Sequence, residues 1–441
     1  MTAAEVMLWG TRIGVVVFDD ATGLGSFEYD RGFTGSGIEV SPVMMPLSQR
    51  VYSFPGLDRR SFHGLPGMLA DSLPDKFGNA VIDAWLRSQG RTPESFDPVE
   101  RLCYTGSRGM GALEFRPARG PSEGEDDTIH VERLVQLAAQ ILNERENIHI
   151  SDKNDAMREI IRVGTSAGGA RAKAVIAWNE KTGDVRSGQI DTGSGYGYWL
   201  MKFDGVSGNG DKEGSDSSQH TRIEYAYYLM ASDAGLNMSE CRMYKENGRH
   251  HFLTRRFDRD PETGDKIHMQ SLGGIAHFDF NMAGAYGYEQ AAAIMRRLRL
   301  SSREIAQFYR RMVFNVMARN QDDHVKNISF LMDRRGQWSL APAYDITYAY
   351  NPDGMWTGTH QMSVNGKRDG IERDDLLAAG RSMGVRASEA SAVIDEVRGS
   401  LQKWRNFAEQ AELKEAYAAR IEEQFQKLQE EICNNLTDKE E

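Results

Sequence analysis

A cluster of acids and an amide occupies the stretch NQDDHVKNISFLMDRRGQWSLAPAYD, which runs from Asn320 to Asp345. Asp322 and Asn327 are separated by four residues, and Asp345 follows two apolar runs joined by RRGQ. Mg²⁺ binds oxygen ligands such as these, and phosphoryl transfer requires metal-bound phosphates beside a positioned acceptor group. The pattern therefore predicts a magnesium and phosphate site. The structural alternative is a polar loop, a hairpin and a helix cap.

The interval between Asp322 and Asn327 equals the D-x-x-x-x-N interval in the catalytic loop of protein kinases. A strand, a turn and a second strand after Asn327 would return the chain to the loop and bring Asp345 beside Asn327. Asp322 is then predicted to accept the proton of an acceptor hydroxyl or to orient that hydroxyl. Asn327 and Asp345 are predicted to hold Mg²⁺.

Three more polar side chains lie within this loop. His324 and Lys326 are predicted to reach phosphate oxygens, although a single loop histidine is as often structural. Asp323 has no predicted role, and a solvated position would explain it.

A glycine-rich turn lies upstream, in VGTSAGGARAKAVIAW from Val163 to Trp178. Its glycines would let backbone amides approach phosphates closely, as in an anion-binding nest. The stretch matches neither a Walker A sequence nor G-x-G-x-x-G, and an ordinary turn is the alternative. The residues predicted to bind nucleotide here are Gly164, Thr165, Ser166, Ala167, Gly168, Gly169 and Ala170.

Lys202 lies in YWLMKFDG, on the second strand after that turn, where a kinase keeps its phosphate-binding lysine. The alternative is an edge lysine whose stem covers apolar surface. Glu224, on the following helix, is a candidate partner for Lys202.

In FLTRRFDR the backbone near Arg255 and Phe257 is predicted to bind adenine, and Asp258 to bind ribose or cap a turn.

The elements that would position these residues fall into three parts. A strand-rich domain, residues 1–120, ends near the Pro-, Gly- and acid-rich segment Pro117–Asp127. Residues 121–260 form a mixed lobe with the glycine-rich turn, and residues 261–441 a helical lobe with the acid cluster. The predicted fold class is α+β: a bilobal protein-kinase-like fold with a strand-rich N-terminal subdomain and a helical C-terminal lobe.

The length, charge and composition of the chain exclude several classes of protein. A chain of 441 residues is too long for one ordinary core, which fits this division. The formal net charge of −11 argues against a protein that grips DNA by itself. No apolar run is long enough to span a bilayer, the N-terminus lacks signal-peptide features, and three distant cysteines suggest no disulfide framework. The expected location is cytoplasmic, without membrane contact.

Taken together, these stretches resemble the HipA family of bacterial serine/threonine kinase toxins. The matching pieces are TSAGGARAK, YWLMKFDG, RRFDR, NQDDHVKNISF and LAPAYDI, in the order of the family, preceded by GLPGMLADSLPD. The resemblance implies a kinase that uses ATP and Mg²⁺ to phosphorylate a translation protein such as an aminoacyl-tRNA synthetase, causing growth arrest and persistence. It also implies a helix-turn-helix antitoxin of the HipB type, which brings the toxin to DNA indirectly.

The resemblance implies the same roles that the spacing of the residues predicts. Asp322 is catalytic, Asn327 and Asp345 bind Mg²⁺, and Lys202 binds phosphate. The resemblance adds autophosphorylation at Ser166, where a phosphate dianion would repel the phosphates of ATP. Thr165 is a competing acceptor, and an ordinary turn serine is the structural alternative. Arg255 stands where the best-known member has an acid, but only backbone atoms matter there.

Two other functions fit parts of the same pattern. A small-molecule kinase of the same fold would use the same catalytic residues. An inactive kinase-like partner that tightens a repressor on DNA is the other alternative. The intact set of Asp322, Asn327, Asp345 and Lys202 argues against the inactive partner.

Overall fold

The computed structural model describes residues 1–119, 129–143, 160, 171–189, 192–206 and 219–433. These residues form two five-stranded antiparallel sheets, a three-stranded sheet and a group of helices. The chain divides into two compact units. The sheet unit comprises Met1–Ser218, Arg242–His277 and Leu331–Gln337, and the helical unit comprises Gln219–Cys241, Phe278–Phe330 and Trp338–Glu441. The three-part division at residues 120 and 260 stays a prediction.

The first sheet has the strand order β4-β3-β2-β1-β5. Its strands are β1 (Thr2–Leu8), β2 (Thr11–Asp19), β3 (Leu24–Tyr29), β4 (Val51–Tyr52) and β5 (Leu113–Arg116). Trp9 and Gly10 turn the first apolar run back on itself with φ angles of 48° and 80°. Gly14 allows β2 to pass close to β3, since a Cβ atom there would lie 2.4 Å from the carbonyl oxygen of Glu28.

The second sheet has the order β7-β6-β8-β10-β9, which places Lys202 at the end of the central strand β8. Its strands are β6 (Lys173–Trp178), β7 (Val185–Ser187), β8 (Gly197–Lys202), β9 (Cys241–Glu246) and β10 (Arg249–Arg255). The sheet unit also contains β11 (His268–Ser271) and the helices α1 (Arg59–Phe62), α2 (Gly67–Ala70), α3 (Lys76–Ser88), α4 (Pro98–Thr105), α5 (Val131–Asn143) and α7 (Leu272–Ala276). The intervening helix α6 (His220–Asp233) belongs to the helical unit.

One hydrophobic core joins this second sheet to α3 and α5. Phe77 of α3, Leu134 of α5 and Trp199 of β8 are among its buried members. Full burial of a large apolar side chain contributes about 1.5–3 kcal/mol each. The strand that carries Lys202 therefore rests on a packed layer.

The helical unit is built around buried aromatic side chains, including Tyr227, Trp404 and Phe425, whose ring centroids lie 5.6–6.3 Å apart. Its helices are α6 (His220–Asp233), α8 (Tyr288–Arg297), α9 (Ser302–Met317), α10 (Arg373–Ser382), α11 (Ala387–Leu401), α12 (Trp404–Gln410) and α13 (Glu415–Cys433). Ser301 caps α9 in a reciprocal capping box with Glu304.

A hairpin of β12 (Ser329–Met332) and β13 (Trp338–Leu340) follows α9. The Ala341 N–H donates to the Ser329 carbonyl over 2.9 Å, and the Asp333 N–H donates to the Gln337 carbonyl over 3.1 Å. This is the strand–turn–strand that the sequence predicts after Asn327. Among the described helices, none has the length and apolar character needed to cross a membrane.

Candidate active site

The loop between α9 and β12, residues 319–327, is held by hydrogen bonds to its neighbours. We call it the catalytic loop after its predicted role. The Gln321 N–H donates to the Ala349 carbonyl, and the Ala349 N–H donates to the Arg319 carbonyl, each over 3.1 Å. The Asn320 side chain donates to Asn315 Oδ1 on α9 over 2.9 Å. The loop backbone is therefore positioned by the protein itself, as a preorganised site requires.

Asp322 and Asn327 lie on one turn of this loop. Asn327 Nδ2 donates to the Asp322 carbonyl over 2.9 Å, and a short 3₁₀ helix spans Val325–Asn327. The Asp322 side chain is 49% exposed, and its Oδ1 lies 3.9 Å from His324 Nε2. A carboxylate that is fixed by its backbone and half-exposed is accessible to an acceptor hydroxyl, as a general base must be.

Asp345 lies five residues after the end of β13. The hydroxyl of its neighbour Tyr344 donates to the Lys326 carbonyl and lies near Ser329 Oγ, both over 2.6 Å. The hairpin thus returns the chain to the residue that precedes Asn327. Asp345 has a φ of +56°, in the left-handed region. Backbone strain of about 1–3 kcal/mol at a non-glycine residue is typical of functional sites.

Asp323 is buried, so the solvated position considered for it is wrong. Its carboxylate accepts from the Tyr288 hydroxyl over 2.7 Å and from the Gln361 N–H over 2.7 Å, and lies 2.9 Å from His360 Nδ1. Burial by itself would raise the pKa of Asp323. The charge of His360 and these hydrogen bonds outweigh burial, and the pKa is lowered. Asp323 therefore anchors the catalytic loop.

We expect Asp323→Asn to lower the free energy of unfolding by about 1.5–3 kcal/mol, because a buried charged acceptor is lost while Tyr288 and His360 remain buried. Thermal and urea unfolding of the purified variant measure this. The exposed Asp369 supplies the control Asp369→Asn, which should leave stability unchanged. Wild-type stability in Asp323→Asn would contradict the anchoring role.

His324 and Lys326 border the ring of Phe280. Lys326 Nζ lies 4.5 Å from the ring centroid, and the His324 ring centroid lies 6.1 Å from it. His324 Nδ1 is buried without a hydrogen-bond partner among the described residues. Since an unsatisfied buried polar atom is costly, this nitrogen fits a ligand oxygen. The predicted phosphate contacts of both residues remain predictions that this geometry suits.

In the sheet unit, Lys202 pairs across the strands with Lys173 on β6 and Phe252 on β10. Lys173 is buried in an ion pair with Asp75, the N-cap of α3, at 2.8 Å. Lys202 is only half-buried, with its Nζ 6.0 Å from the Phe252 ring centroid. The neighbouring cation, Lys173, is thus already neutralised by Asp75, and no local sequence pattern predicts this pair. The phosphate-binding role of Lys202 stays a prediction.

Asp258 is fully buried, and both carboxylate oxygens have protein partners. Oδ1 accepts from Arg256 Nε over 2.9 Å, and Oδ2 accepts from Arg256, Arg259 and the Gly111 N–H over 2.7–3.0 Å. Burial would raise the pKa of Asp258, but the two guanidinium charges hold it well below its usual range. Of the two roles open for Asp258, this geometry favours the structural one over ribose binding.

Arg255 ends β10, paired across the sheet with Trp199, and Phe257 lies two residues later. Arg256 and Arg259 hold this turn to the segment Gly109–Gly111, since each donates to a glycine carbonyl over 3.3 Å. These two hydrogen bonds therefore hold the turn in place against Gly109–Gly111. The adenine contacts predicted for the backbone near Arg255 and Phe257 stay predictions.

The glycine-rich turn lies outside the described residues. The predictions made for Gly164, Thr165, Ser166, Ala167, Gly168, Gly169 and Ala170 therefore stay predictions. Glu224 is buried on α6 of the helical unit. Its predicted pairing with Lys202 also stays a prediction.

In the described part of the chain, no group of three or more His, Cys, Asp and Glu side chains is arranged to hold a metal ion. Mg²⁺ is usually held by only one or two carboxylates, with substrate phosphates and water completing its octahedron. The oxygens of Asn327 and Asp345, on a loop and hairpin that meet at Lys326, fit such a site.

Comparison with known families agrees with this arrangement. Residues 165–430 match the family described as the HipA-like C-terminal domain, which is more than half of the chain. Residues 4–116 match the HipA N-terminal domain. This chain belongs to the HipA family.

The fold of this HipA-family chain is kinase-like α+β. A chain of the Shewanella oneidensis MR-1 toxin–antitoxin complex of HipA, HipB and operator DNA superposes with a TM-score of 0.69 and 17% identity, over 97% of this chain and 96% of that chain.

Two Sinorhizobium fredii proteins are similar in sequence. "Putative kinase Y4dM" is 28% identical over 34% of this chain, and "Putative kinase Y4mE" 27% over 30%. The matches span about a third of these relatives, 36% and 34% of their lengths.

Proposed function

We propose that this HipA-family protein is an ATP- and Mg²⁺-dependent kinase that phosphorylates serine or threonine in a protein substrate. The observation that carries the proposal is the catalytic loop, where Asp322 is accessible and Asn327 is fixed on the same turn. The strained Asp345, which follows the hairpin by a short loop, supports it. The kinase-like fold agrees with it, and so do the two Sinorhizobium relatives, which are named as putative kinases.

In this mechanism Asp322 accepts the proton of the acceptor hydroxyl as the hydroxyl oxygen bonds to the γ-phosphorus of ATP. The bond from that phosphorus to the β,γ-bridging oxygen breaks, and ADP leaves with the electron pair. Asn327 and Asp345 would hold Mg²⁺, which neutralises charge on the phosphates when bound. His324 and Lys326, on the same loop, orient phosphate oxygens.

The partners belong to the same proposal. The Shewanella structure contains HipA, HipB and operator DNA, so we infer a helix-turn-helix antitoxin of the HipB type for this chain. A net charge of −11 suits contact with DNA mainly through that antitoxin. A translation protein such as an aminoacyl-tRNA synthetase is the proposed target, with growth arrest and persistence as the outcome and Ser166 as a self-phosphorylated site.

Phosphosite mass spectrometry tests the reaction. The purified protein is incubated with Mg-ATP, alone and with purified aminoacyl-tRNA synthetases. Phosphate on serine or threonine of a synthetase or on Ser166 supports the proposal. Bound ATP without any protein phosphate would overturn it in favour of a small-molecule kinase or an inactive co-repressor.

We expect Asp345→Asn to raise the Mg²⁺ concentration needed for half-maximal phosphorylation by about 10–100-fold, because the ligand loses its charge. Asparagine tolerates the left-handed backbone, so the fold should persist. A Mg²⁺ titration at saturating ATP measures the change, with Asp369→Asn as control. An unaltered Mg²⁺ requirement would remove Asp345 from the metal site.

A further inference from the structure

Gln361 forms hydrogen bonds with three loops of the helical unit. Its N–H donates to Asp323 Oδ1 over 2.7 Å, beside Asp322 on the catalytic loop. Its carbonyl accepts from the Gly284 N–H over 2.8 Å. Its side chain donates to the Trp356 carbonyl. The buried Gln361 thus ties the loop 278–286 and the loop 351–359 to the catalytic loop.

Gln321, on the other side of Asp322 in the sequence, also connects the catalytic loop to the loop 351–359. With its amide nitrogen turned toward the loop 351–359, Gln321 donates to the Thr357 carbonyl over 2.7 Å and to the Gly358 carbonyl over 3.3 Å. Gln321 and Asp323 flank Asp322 in sequence. The loop 351–359 is therefore bonded directly to Gln321 and linked to Asp323 through Gln361.

These two loops carry exposed apolar side chains. Met282 is 55% exposed, Met355 is 85% exposed and Trp356 is 43% exposed. They are the large apolar side chains with high exposure among the described residues of the helical unit. The two loops both bond to Gln361, and exposed apolar side chains on adjoining loops are typical of interaction sites. We call Met282, Met355 and Trp356 the apolar rim.

We propose that the apolar rim binds apolar side chains next to the acceptor serine or threonine of the protein substrate. The inference rests on the proposed kinase function and deepens it by naming a substrate class. The loop 278–286 contacts the catalytic loop through Phe280, whose ring lies against His324 and Lys326, and the loop 351–359 bonds to Gln321. We therefore expect a chain whose hydroxyl reaches Asp322 to extend toward these loops. In the segment NPDGMWTGT, Asp353 is the single charged residue, so charge recognition is weak there. Methionine and tryptophan provide adaptable apolar contact instead.

The test uses a positional-scanning library of synthetic peptides, each with one central serine, and radiolabelled Mg-ATP. The wild type should select apolar residues at one or more flanking positions. Met355→Ser and Trp356→Ser should each reduce that selection and raise the KM for the best peptide by about tenfold, at the lower end of what an apolar contact discriminates, with a smaller change in kcat. Met355→Leu and Trp356→Phe should restore both.

Val51→Ser is the matched control, since Val51 is 59% exposed on the edge strand β4 of the first sheet. It should behave as wild type. Phosphorylation of the library without apolar preference would overturn the inference and leave the kinase function standing, as would unchanged selection in both serine variants. A wild type that phosphorylates neither peptides nor protein overturns the kinase function, and this inference falls with it.

Discussion

Asp322→Asn is expected to reduce the rate of phosphoryl transfer by about 10²–10⁴-fold, the range supplied by a positioned general base. The amide keeps the shape of the side chain but does not accept the hydroxyl proton. Asp322 is half-exposed, so the fold should be retained. Single-turnover kinetics with Mg-ATP and a phosphorylated protein or peptide measure the effect.

The matched control for this prediction is Asp369→Asn, at an exposed acid of the same unit. It removes the same charge and should leave the rate unchanged. Unfolding curves and ATP binding are measured on both variants, so that a loss of structure is not mistaken for a loss of chemistry. Transfer at the wild-type rate by folded Asp322→Asn would remove Asp322 from the reaction.

The second large effect is expected at Asp258, where Asp258→Asn should lower the free energy of unfolding by about 3–5 kcal/mol. Removal of one partner from a buried ion pair leaves the other charge without compensation. Here two buried guanidinium groups, those of Arg256 and Arg259, lose their carboxylate. Chemical unfolding at pH 7 measures the loss.

The neighbouring Asp265 provides a surface comparison, because its ion pair with Arg334 spans 3.4 Å between largely exposed side chains. Asp265→Asn should change stability by less than about 1 kcal/mol. A folded Asp258→Asn with wild-type stability but a raised KM for ATP would instead favour the ribose-binding role.

The pKa of Asp258 determines how this difference in stability depends on pH. The pKa of Asp258 is lowered in the folded protein, so its stabilisation is fully present above the unfolded value of about 3.9. It is lost progressively as the pH falls from the unfolded pKa to the folded pKa. The stability gap between wild type and Asp258→Asn should therefore stay constant from about pH 5 to pH 8 and narrow below about pH 4.

Local sequence was enough to predict the turn that joins Asp322 to Asn327 and the hairpin that follows it. The interval from Asp322 to Asn327 is set by one turn, and the apolar runs around RRGQ favour two short paired strands. Such features depend on residues a few positions apart, whose contacts follow from backbone geometry. The kinase-like α+β fold was predicted from motif order together with the family resemblance, and the family match and the superposition confirm it.

The role of Asp323 was not predictable in the same way. Two adjacent acids on an extended loop point in different directions, which could have suggested that one faces inward. Its partners Tyr288, His360 and Gln361 are more than thirty residues away, and no local pattern connects them. The same holds for Asp258, whose partner Gly111 is 147 residues distant.

The sequence by itself determined which side chains could do chemistry and the order in which they appear. Only the tertiary structure decided which of the acids face solvent and which are buried as anchors: Asp322 is half-exposed, whereas Asp323 and Asp258 are enclosed by donors. The physical reason is that an aspartate is accessible or buried according to the groups packed around it. Those groups come from segments that the chain brings together only when it folds.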